Sequence, residues 1–350
     1  MNIPKHMRAA ILTELKKPLI IDEVALPREL NYGQVLVRVL YSGICGSQIG
    51  EIDGVKGEDR YLPHLMGHEG SGEVLEIGPG VRHVQTGDHV VMHWRKGNGI
   101  DAAPPLYTWQ GNPLNAGYVT TFNEYAIVSE NRLTSIPKDF DLKLAPLFGC
   151  AVTTGLGVVT NNAKLKIGES IVVFGAGGIG LNVVQGAAMV SAYPIIAVDL
   201  YQNRLDVAEK LGATHLINSK TCDAREKILE IIGKQGADVI VDNTGNTDVI
   251  GLAYELTSSQ GRTILVDVPR KGNPISIYSL PLHFGKILTG SHGGESDPSI
   301  DIPRYIKLHT AGRLQLDDLI SDRFNLAEIN TAIKKMRSGE IAGRCLVQMG

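Results

Sequence analysis

The sequence predicts an α/β protein in which a β-rich N-terminal domain precedes a doubly wound parallel sheet. Three observations support this fold class. Short alternating runs separated by Gly and Pro turns fill the first third of the chain. From about Val152, apolar strand patterns alternate with helical ones. The length of 350 residues also exceeds what one hydrophobic core usually supports, so we expect two domains.

The N-terminal region has several short segments with strand patterns. Residues 34–40 alternate valine and leucine with other residues, and residues 72–77 and 89–92 are similar runs. Residues 93–119 differ, because they are rich in Gly, Pro, Asn and aromatic residues and show no periodicity. We expect a long loop there, of the kind that is usually functional.

The second half of the chain reads as a regular strand and helix series. Apolar runs predict strands at 170–174, 195–198, 215–217, 239–241 and 264–266. Helices are predicted between them, at 179–190, along Leu205, Ala208 and Leu211, and along Ile228, Ile231 and Ile232. We expect the last of these strands to complete the sheet.

Charge and composition exclude several classes of partner. The net charge is −3, which gives no electrostatic reason to expect nucleic acid or an anionic membrane. No apolar stretch reaches the roughly 20 residues needed to span a bilayer, and residues 1–15 lack the apolar core of a signal peptide. The four cysteines are widely spaced, so we expect buried thiols or metal ligands in a cytoplasmic protein.

A glycine motif in the segment IVVFGAGGIG predicts a dinucleotide site. Gly175, Gly177 and Gly180 form G-x-G-x-x-G between an apolar strand and a helix, and Gly178 and Ile179 belong to the same turn. The first glycine permits a tight turn, the second lets the backbone approach a pyrophosphate, and the third allows close helix packing. The free N–H groups of the helix start attract phosphate. This pattern indicates a Rossmann domain.

Asp199 ends the next predicted strand, near the offset at which an acidic residue binds the adenosine ribose. Its carboxylate would accept hydrogen bonds from the ribose hydroxyls of NAD and repel the 2′-phosphate of NADP. Arg204 is close in sequence and would favour a phosphate, so NADP stays open as the lesser alternative. We predict NAD.

Cys45, His68, Glu69 and Cys150 are candidates for a metal site. They are far apart in the chain, so their spacing does not establish one. Each also has a structural interpretation, as a buried thiol, a core histidine or half of a salt bridge. The residues alone leave both interpretations open.

The run Gly67-His68-Glu69-Gly70 resembles the zinc signature of the medium-chain alcohol dehydrogenase family. The segment GCAVTTGLG, followed by the glycine motif, is similar to the glutathione-dependent formaldehyde dehydrogenase branch. The resemblance runs from about residue 8 to residue 347. It implies a GroES-like catalytic domain, hydride transfer between NAD(H) and an alcohol, aldehyde or ketone, and a catalytic Zn²⁺ on Cys45, His68 and Cys150. Two Cys and one His are the protein ligands of the catalytic zinc in alcohol dehydrogenases, and they leave one coordination position open.

The resemblance implies roles for further residues. Ser47 would take the substrate proton, and Glu69 would be a carboxylate next to the metal. Thr154 and Val268 would contact the nicotinamide. Arg344 would contact the pyrophosphate, and Trp94 would form a wall of the substrate cleft.

The sequence departs from the family at four points. Many relatives hold a second, structural zinc on four cysteines in the region of residues 93–119, which contain no Cys here, so we predict one zinc per subunit. Gln48 replaces an Asp that orients the histidine ligand; either its amide accepts that hydrogen bond, more weakly than a carboxylate, or another carboxylate such as Asp53 takes over the task. Gly50 replaces the His that ends the proton relay, so we expect the relay to end in water or a cofactor ribose. Gly46 replaces an Arg that contacts the pyrophosphate.

We expect a catalytic domain over residues 1–151, a Rossmann domain over 152–292, and a return to the catalytic domain over 293–350. Subunit pairing through the Rossmann sheet edge implies a homodimer or homotetramer. Three other functions stay open. The first is a polyol or sugar dehydrogenase, which the polar segment 94–118 would suit. The others are a zinc-free NADPH quinone or enone reductase and a non-catalytic, lens-type structural protein. The sequence leaves the substrate and the direction of the reaction undecided.

Overall fold

The structure is a computed structural model that describes residues 4–350; the first three residues of the segment expected to lack a signal peptide lie outside it. The N-terminal part is almost entirely strands. Its elements are β1 (His6–Leu12), β2 (Ile20–Ala25), β3 (Gln34–Ile44), α1 (Gly46–Ile52), β4 (His64–Leu65), β5 (Glu69–Ile77), β6 (His89–His93), β7 (Tyr107–Trp109), β8 (Asn112–Leu114), β9 (Tyr125–Ser129) and β10 (Leu133–Ile136).

Helices and strands alternate in the rest of the chain. The elements are α2 (Ala151–Gly157), β11 (Ile171–Phe174), α3 (Gly178–Met189), β12 (Ile195–Asp199), α4 (Gln202–Lys210), β13 (His215–Asn218), α5 (Ala224–Ile232), β14 (Ala237–Asp242), α6 (Thr247–Leu256), β15 (Thr257–Leu265), β16 (Ile287–Gly290), α7 (Pro298–Thr310), β17 (Ile320–Asn325), α8 (Ile329–Ser338) and β18 (Arg344–Gln348). Within residues 4–350, no helix is both long and apolar enough to cross a membrane.

The N-terminal strands form two sheets. One has the order β4-β1-β2-β7-β8, and the other runs β10-β6-β5-β3-β18-β17 with β9 also paired to β3. The long strand β3 is therefore the centre of the second sheet. Most of its apolar residues are buried, since strands pair along both of its edges, whereas Arg38 is exposed.

The parallel sheet has the strand order β13-β12-β11-β14-β15-β16. All four residues of β11 are buried, as expected for a central parallel strand with helices on both faces. The chain continues from β11 to β12 on one side, while β14 lies on the other. Such a reversal opens a crevice at the carboxyl ends of the strands, where ligands bind. The predicted fold class is confirmed.

Three details of the predicted elements were wrong. The strand near 264–266 does not complete the sheet, because β16 adds a sixth strand at the edge. Residues 93–119 are not a plain loop, since β7 and β8 form a hairpin that joins the first sheet through β2. Leu211 lies just past the end of α4 rather than within it, though it is buried with the same core. Each of these missed strands has only three or four residues, which is too short for a periodicity to appear.

The end of the chain returns to the N-terminal sheet. β18 pairs antiparallel with β3 and parallel with β17. Before this return, Ile302 and Ile306 of α7 pack into the core that holds α2 and α3. We propose on these grounds that the domain boundaries lie near residues 151 and 292, with α7 bridging the two domains.

Candidate active site

Three side chains that are distant in the sequence meet at one point. Cys45 directly follows β3 at the start of α1, His68 precedes β5, and Cys150 precedes α2. The Sγ atoms of Cys45 and Cys150 are 3.9 Å apart, and the ligand atoms of all three residues lie within 4.8 Å of one another. The fold thus gathers the three predicted metal ligands.

This cluster fits a zinc ion. Two thiolates on one tetrahedral zinc, each with a Zn–S distance of about 2.3 Å, lie about 3.8 Å from each other. A disulfide would need a sulfur separation of about 2.05 Å. Nε2 of His68 is buried and has no hydrogen-bond partner among the described residues. A buried nitrogen left without a partner is costly, so this atom also points to a missing ligand.

The charges around the cluster favour a thiolate at Cys45. The hydrogen bond from Cys150, followed by the charge of Arg344, holds the pKa of Cys45 well below its usual range, although burial opposes the shift. Burial lowers the pKa of His68, but the hydrogen bond and charge of Cys45 outweigh it and raise that pKa. Because zinc binds deprotonated thiolates, the lowered pKa of Cys45 prepares the site for a cation.

Gln48 lies directly behind the cluster. Its Oε1 accepts the backbone N–H of Cys45 at 2.9 Å, and its Nε2 is hydrogen-bonded to Nδ1 of His68. Gln48 is fully buried, so this amide fixes the imidazole. The suggestion that Asp53 takes over this task was wrong, because Asp53 instead forms an ion pair with Arg337 at 2.6 Å.

Glu69 and Arg344 form a buried pair beside the metal ligands. Oε1 of Glu69 is 3.3 Å from Nε of Arg344, and Nη2 of Arg344 donates to Sγ of Cys45 at 3.5 Å. Burial raises the pKa of Glu69 to about 7, although Arg344 works against the shift. Arg344 also packs on Gly178, where a Cβ atom would lie 2.9 Å from its Nε. This arginine therefore connects the metal cluster to the first turn of α3.

A second group, Glu51, Asp59 and His64, also brings possible ligand atoms within 4.8 Å of one another. Nε2 of His64 is 2.9 Å from Asp59, and Nδ1 lies 2.9 Å from the backbone oxygen of Leu65. Both ring nitrogens are thus satisfied within the protein. We interpret this group as an ion-pair cluster rather than a metal centre.

The glycine turn has the shape that the motif predicts. Gly175 follows β11 with φ +86°, a conformation that side chains disfavour. A Cβ at Gly180 would lie 1.9 Å from the backbone oxygen of Gly175, so only glycine fits there. A Cβ at Gly177 would meet no atom within 4 Å, because this residue faces open space at the start of α3. The helix start is therefore accessible to a phosphate.

Asp199 ends β12 and is almost fully buried. Its Oδ2 accepts the N–H of Ala176 at 2.7 Å, and its Oδ1 accepts the N–H of Tyr201 at 2.9 Å. Arg204 stacks over the Tyr201 ring and reaches within 3.7 Å of Oδ2. Since a carboxylate oxygen accepts more than one hydrogen bond, Asp199 can still accept bonds from a ligand in the cleft.

One cleft of about 750 Å³ joins the metal cluster to the glycine turn. Every predicted site residue except Glu69 lines it: Cys45, Ser47, His68, Trp94, Cys150, Thr154, Gly175, Gly177, Gly178, Ile179, Gly180, Asp199, Arg204, Val268 and Arg344. The exception, Glu69, lies behind the cluster against Arg344. Of residues 94–118, the cleft wall includes Trp94 alone. The polar residues 95–118, which suggested a polyol substrate, therefore do not line the cleft.

Sequence reasoning missed several residues of the cleft wall. The ring of Trp94 packs edge-on against His68, with 6.5 Å between centroids, and against His292, with 5.0 Å. His292 follows β16 and lines the cleft as well. Lys56 and Asp267 also line the cleft. No motif marks them, because loops from different domains bring them there.

A Cys₂His cluster that faces a glycine turn across one cleft, on these two domains, is the arrangement of a zinc-dependent dehydrogenase. Family models agree: "Alcohol dehydrogenase GroES-like domain" matches residues 31–138, and "Zinc-binding dehydrogenase" matches residues 178–310. The chain belongs to the zinc-dependent alcohol dehydrogenases of the medium-chain dehydrogenase/reductase family.

Individual relatives span nearly the whole chain. S-(hydroxymethyl)glutathione dehydrogenase from Paracoccus denitrificans is 32% identical over 368 residues, which cover 95% of this chain and 97% of the relative. The crystal structure of an alcohol dehydrogenase zinc-binding domain protein from Burkholderia ambifaria has a TM-score of 0.90 at 30% identity, and covers 99% of both chains. Benzyl alcohol dehydrogenase from Acinetobacter calcoaceticus has a TM-score of 0.88 at 28% identity, over 99% of this chain and all of the other.

Proposed function

We propose that this chain is an NAD(H)-dependent alcohol dehydrogenase with one catalytic zinc per subunit. It would interconvert a small alcohol with the corresponding aldehyde or ketone. One observation carries the proposal: the Cys45, His68 and Cys150 cluster and the glycine turn open into the same cleft. This juxtaposition argues against a zinc-free quinone or enone reductase, which would have no use for the cluster.

When bound by the three ligands, zinc supplies a Lewis acid that lowers the pKa of an alcohol hydroxyl or polarises a carbonyl. The chain's own residues do the rest. The exposed hydroxyl of Ser47 receives the substrate proton at the cleft wall. Trp94 forms an apolar wall beside His68 that orients the carbon from which hydride leaves. Thr154 and Val268 lie on the side toward the glycine turn and would flank the nicotinamide.

The choice of NAD rests on Asp199. Its buried carboxylate lies at the end of β12 and faces the cleft, where the adenosine ribose of a dinucleotide would bind. A 2′-phosphate there would meet this negative charge. Arg204 would attract such a phosphate, but the ion pair with Asp199 occupies part of its charge. Gly178, Ile179 and Arg344 would contact the pyrophosphate at the start of α3.

The proposal of a single zinc rests on how the segment 93–119 is held. No cysteine is present there. A carboxylate holds the loops here in place of a structural zinc. Glu130 accepts the backbone N–H groups of Arg82, His83 and Ile100 at 2.5–2.8 Å. Three hydrogen bonds to one buried charge can fix the loops around it without a metal.

Self-association through β16 is part of the proposal. β16 is an edge strand, with backbone groups free to pair on one side. Exposed apolar side chains surround it, and Tyr278, Leu280, Phe284 and Ile287 are each between 48% and 71% exposed. Such a patch marks an interface. We infer a homodimer through this edge, whether or not two dimers associate further. A cytoplasmic location stays a prediction.

The experiment that tests the function begins with the zinc content of the purified protein. A panel of simple and aromatic alcohols, aldehydes and polyols is then assayed with NAD(H) and NADP(H), before and after chelation. We expect about one zinc per chain, turnover of simple alcohols with NAD, and loss of turnover on chelation. Preferential turnover of polyols would favour the alternative substrate class. A metal-loaded protein that binds NADH but turns over nothing would favour the structural role.

A matched pair of variants separates the metal site from general thiol effects. Cys45→Ser removes a proposed ligand, so we expect loss of zinc and of activity. Cys222→Ser changes a half-buried thiol outside the cleft and should retain both. Equal zinc content in the two variants would contradict the proposed ligand set.

A further inference from the structure

Oxidation of an alcohol releases a proton that some group in the cleft must accept. In the proposed reaction, the C–H hydrogen leaves with its electron pair to the nicotinamide, the O–H hydrogen leaves as a proton, and the C=O bond forms. Ser47 only passes a proton on, because its hydroxyl gives up one for each that it receives. The histidine that the family resemblance implies at position 50 is Gly50 in this chain, which offers no base.

Two carboxylates line the cleft among the described residues, Asp199 and Asp267. Asp199 binds backbone N–H groups at the proposed ribose site. Asp267 follows β15, and its one hydrogen bond in residues 4–350 is the bond that Oδ1 accepts from the N–H of Val268 at 2.9 Å. Its second oxygen is therefore free to accept a proton from the cleft. Its chain neighbour Val268 is the proposed nicotinamide contact, and both residues line the cleft.

A contact between two loops brings Asp267 to the side of the cleft where the base is missing. Val55 follows α1, and its backbone oxygen accepts the N–H of Lys271 at 2.8 Å. Lys271 belongs to the loop that begins with Asp267. A Cβ at Gly50 would lie 3.5 Å from Val55, so position 50 borders the same contact. We propose that Asp267 accepts the substrate proton, directly or through solvent, in place of the histidine absent at Gly50. This inference rests on the proposed function.

The surroundings of Asp267 suit this role. Asp267 is exposed to the cleft, but the protein atoms packed around it reduce its solvation and raise its pKa to about 6, and the negative charges of Cys45 and Asp242 act in the same direction. The N–H of Val268 and the ammonium of Lys56 act in the opposite direction. A base with a pKa near the working pH is ionised and still binds a proton well. The rate of alcohol oxidation should therefore fall as the pH decreases through about 6.

His292 is the rival acceptor, because it also lines the cleft. Its Nδ1 is 2.7 Å from Nη1 of Arg95, and its ring packs on Trp94. The guanidinium of Arg95 can only donate, so Nδ1 is occupied as an acceptor. The geometry therefore makes His292 part of the cleft wall rather than a proton acceptor. A His292→Asn variant decides between His292 and Asp267.

The test is Asp267→Asn, which keeps the size and the Val268 hydrogen bond but removes the base. We expect kcat for alcohol oxidation to fall about a hundredfold and the acidic limb of its pH profile near 6 to disappear. Asp267→Glu should retain that limb. In the Asp267→Asn background, Gly50→His should restore part of the rate, because position 50 has room for a side chain. Asp318→Asn, an exposed aspartate outside the cleft, is the control and should match the wild type.

A second readout needs no turnover. The pH-difference infrared spectrum of the metal-free, cofactor-free protein should contain a carboxyl band that titrates near pH 6 and is missing in Asp267→Asn. An active wild type whose rate and pH profile survive Asp267→Asn would overturn the inference and leave the proposed function intact. The inference would also be overturned if the acidic limb of the pH profile disappeared in His292→Asn rather than in Asp267→Asn. A zinc-loaded wild type that oxidises no alcohol would overturn both.

Discussion

Gln48 binds Nδ1 of His68 with the same side-chain amide that accepts the backbone N–H of Cys45. A histidine that binds zinc through Nε2 carries its proton on Nδ1 and needs an acceptor there. Gln48 has one acceptor oxygen, and the N–H of Cys45 already uses it. In this arrangement the amide N–H of Gln48 faces Nδ1, so the tautomer that binds zinc through Nε2 finds no acceptor there, and a carboxylate at this position would supply one.

We predict that Gln48→Glu strengthens zinc binding. The substitution preserves the shape and supplies two acceptor oxygens, one for Cys45 and one for His68. Changes in such supporting groups alter metal affinity by about 10–100-fold. Competition with a chromogenic chelator measures the affinity, and Gln85→Glu, on the exposed surface, controls for the added charge. An unchanged or weaker affinity in Gln48→Glu would show that the amide does not limit binding.

Asp199→Asn should reduce the preference for NAD over NADP. The substitution removes the charge that would repel a 2′-phosphate and frees Arg204 from its ion pair to meet that phosphate. A hydrogen bond to a charged group contributes about 1.5–3 kcal/mol, so we expect kcat/KM with NAD to fall about 10–100-fold. Activity with NADP should rise. Steady-state kinetics with both cofactors measures the ratio, and a constant ratio would refute the assigned role.

Glu130→Gln should destabilise the protein by about 2 kcal/mol, because an amide NH₂ would face one of three backbone donors. Burial by itself raises the pKa of Glu130, but the three hydrogen bonds together outweigh it, so that the pKa is lowered. Because the pKa of Glu130 is lower in the folded than in the unfolded state, its ionised form stabilises the fold at pH values above the unfolded-state pKa. This stabilisation is lost as the pH falls through the folded-state pKa. Denaturant unfolding between pH 7 and 3 should thus give a shallower acid decline for the variant. Parallel declines would argue against this network.

Phe284→Asp should produce monomers. The side chain is 69% exposed next to the edge strand β16, so a charge would be buried against a second copy. Sedimentation equilibrium gives the mass of each form. Tyr32→Asp is the control, because Tyr32 is 65% exposed and lies just before β3 in the N-terminal sheets, so it should leave the β16 pairing intact. A wild type that is itself monomeric would remove the proposed interface.

The sequence was sufficient where function forces particular residue types into short motifs. The turn from Gly175 to Gly180 has a positive φ and a contact that excludes a Cβ, so glycine must recur at fixed spacing. The metal ligands are too far apart in the sequence for their spacing to predict a shared site. They could be predicted because the GHEG run and the segment around Cys150 resemble those of a known family.

Residues placed by loop contacts could not be predicted. Asp267 and His292 reach the cleft only because the chain folds back around β16. The edge strand itself was missed because its four residues are largely exposed and carry no apolar run. Arg344 was expected at the pyrophosphate, but its contacts with Glu69 and Cys45 depend on β18 pairing with β3, which is a long-range event.

Cys150 stands where the chain passes from the N-terminal sheets to the parallel sheet, and α2 begins at the next residue. Cys45, His68 and Cys150 all precede the proposed boundary near residue 151, so an ion held by them would belong to the N-terminal domain alone. The glycine turn from Gly175 to Gly180 belongs to the parallel-sheet domain on the other side of the cleft. A change in the angle between the domains would therefore alter the distance from the ion to the dinucleotide site while leaving the ligands of the ion unchanged.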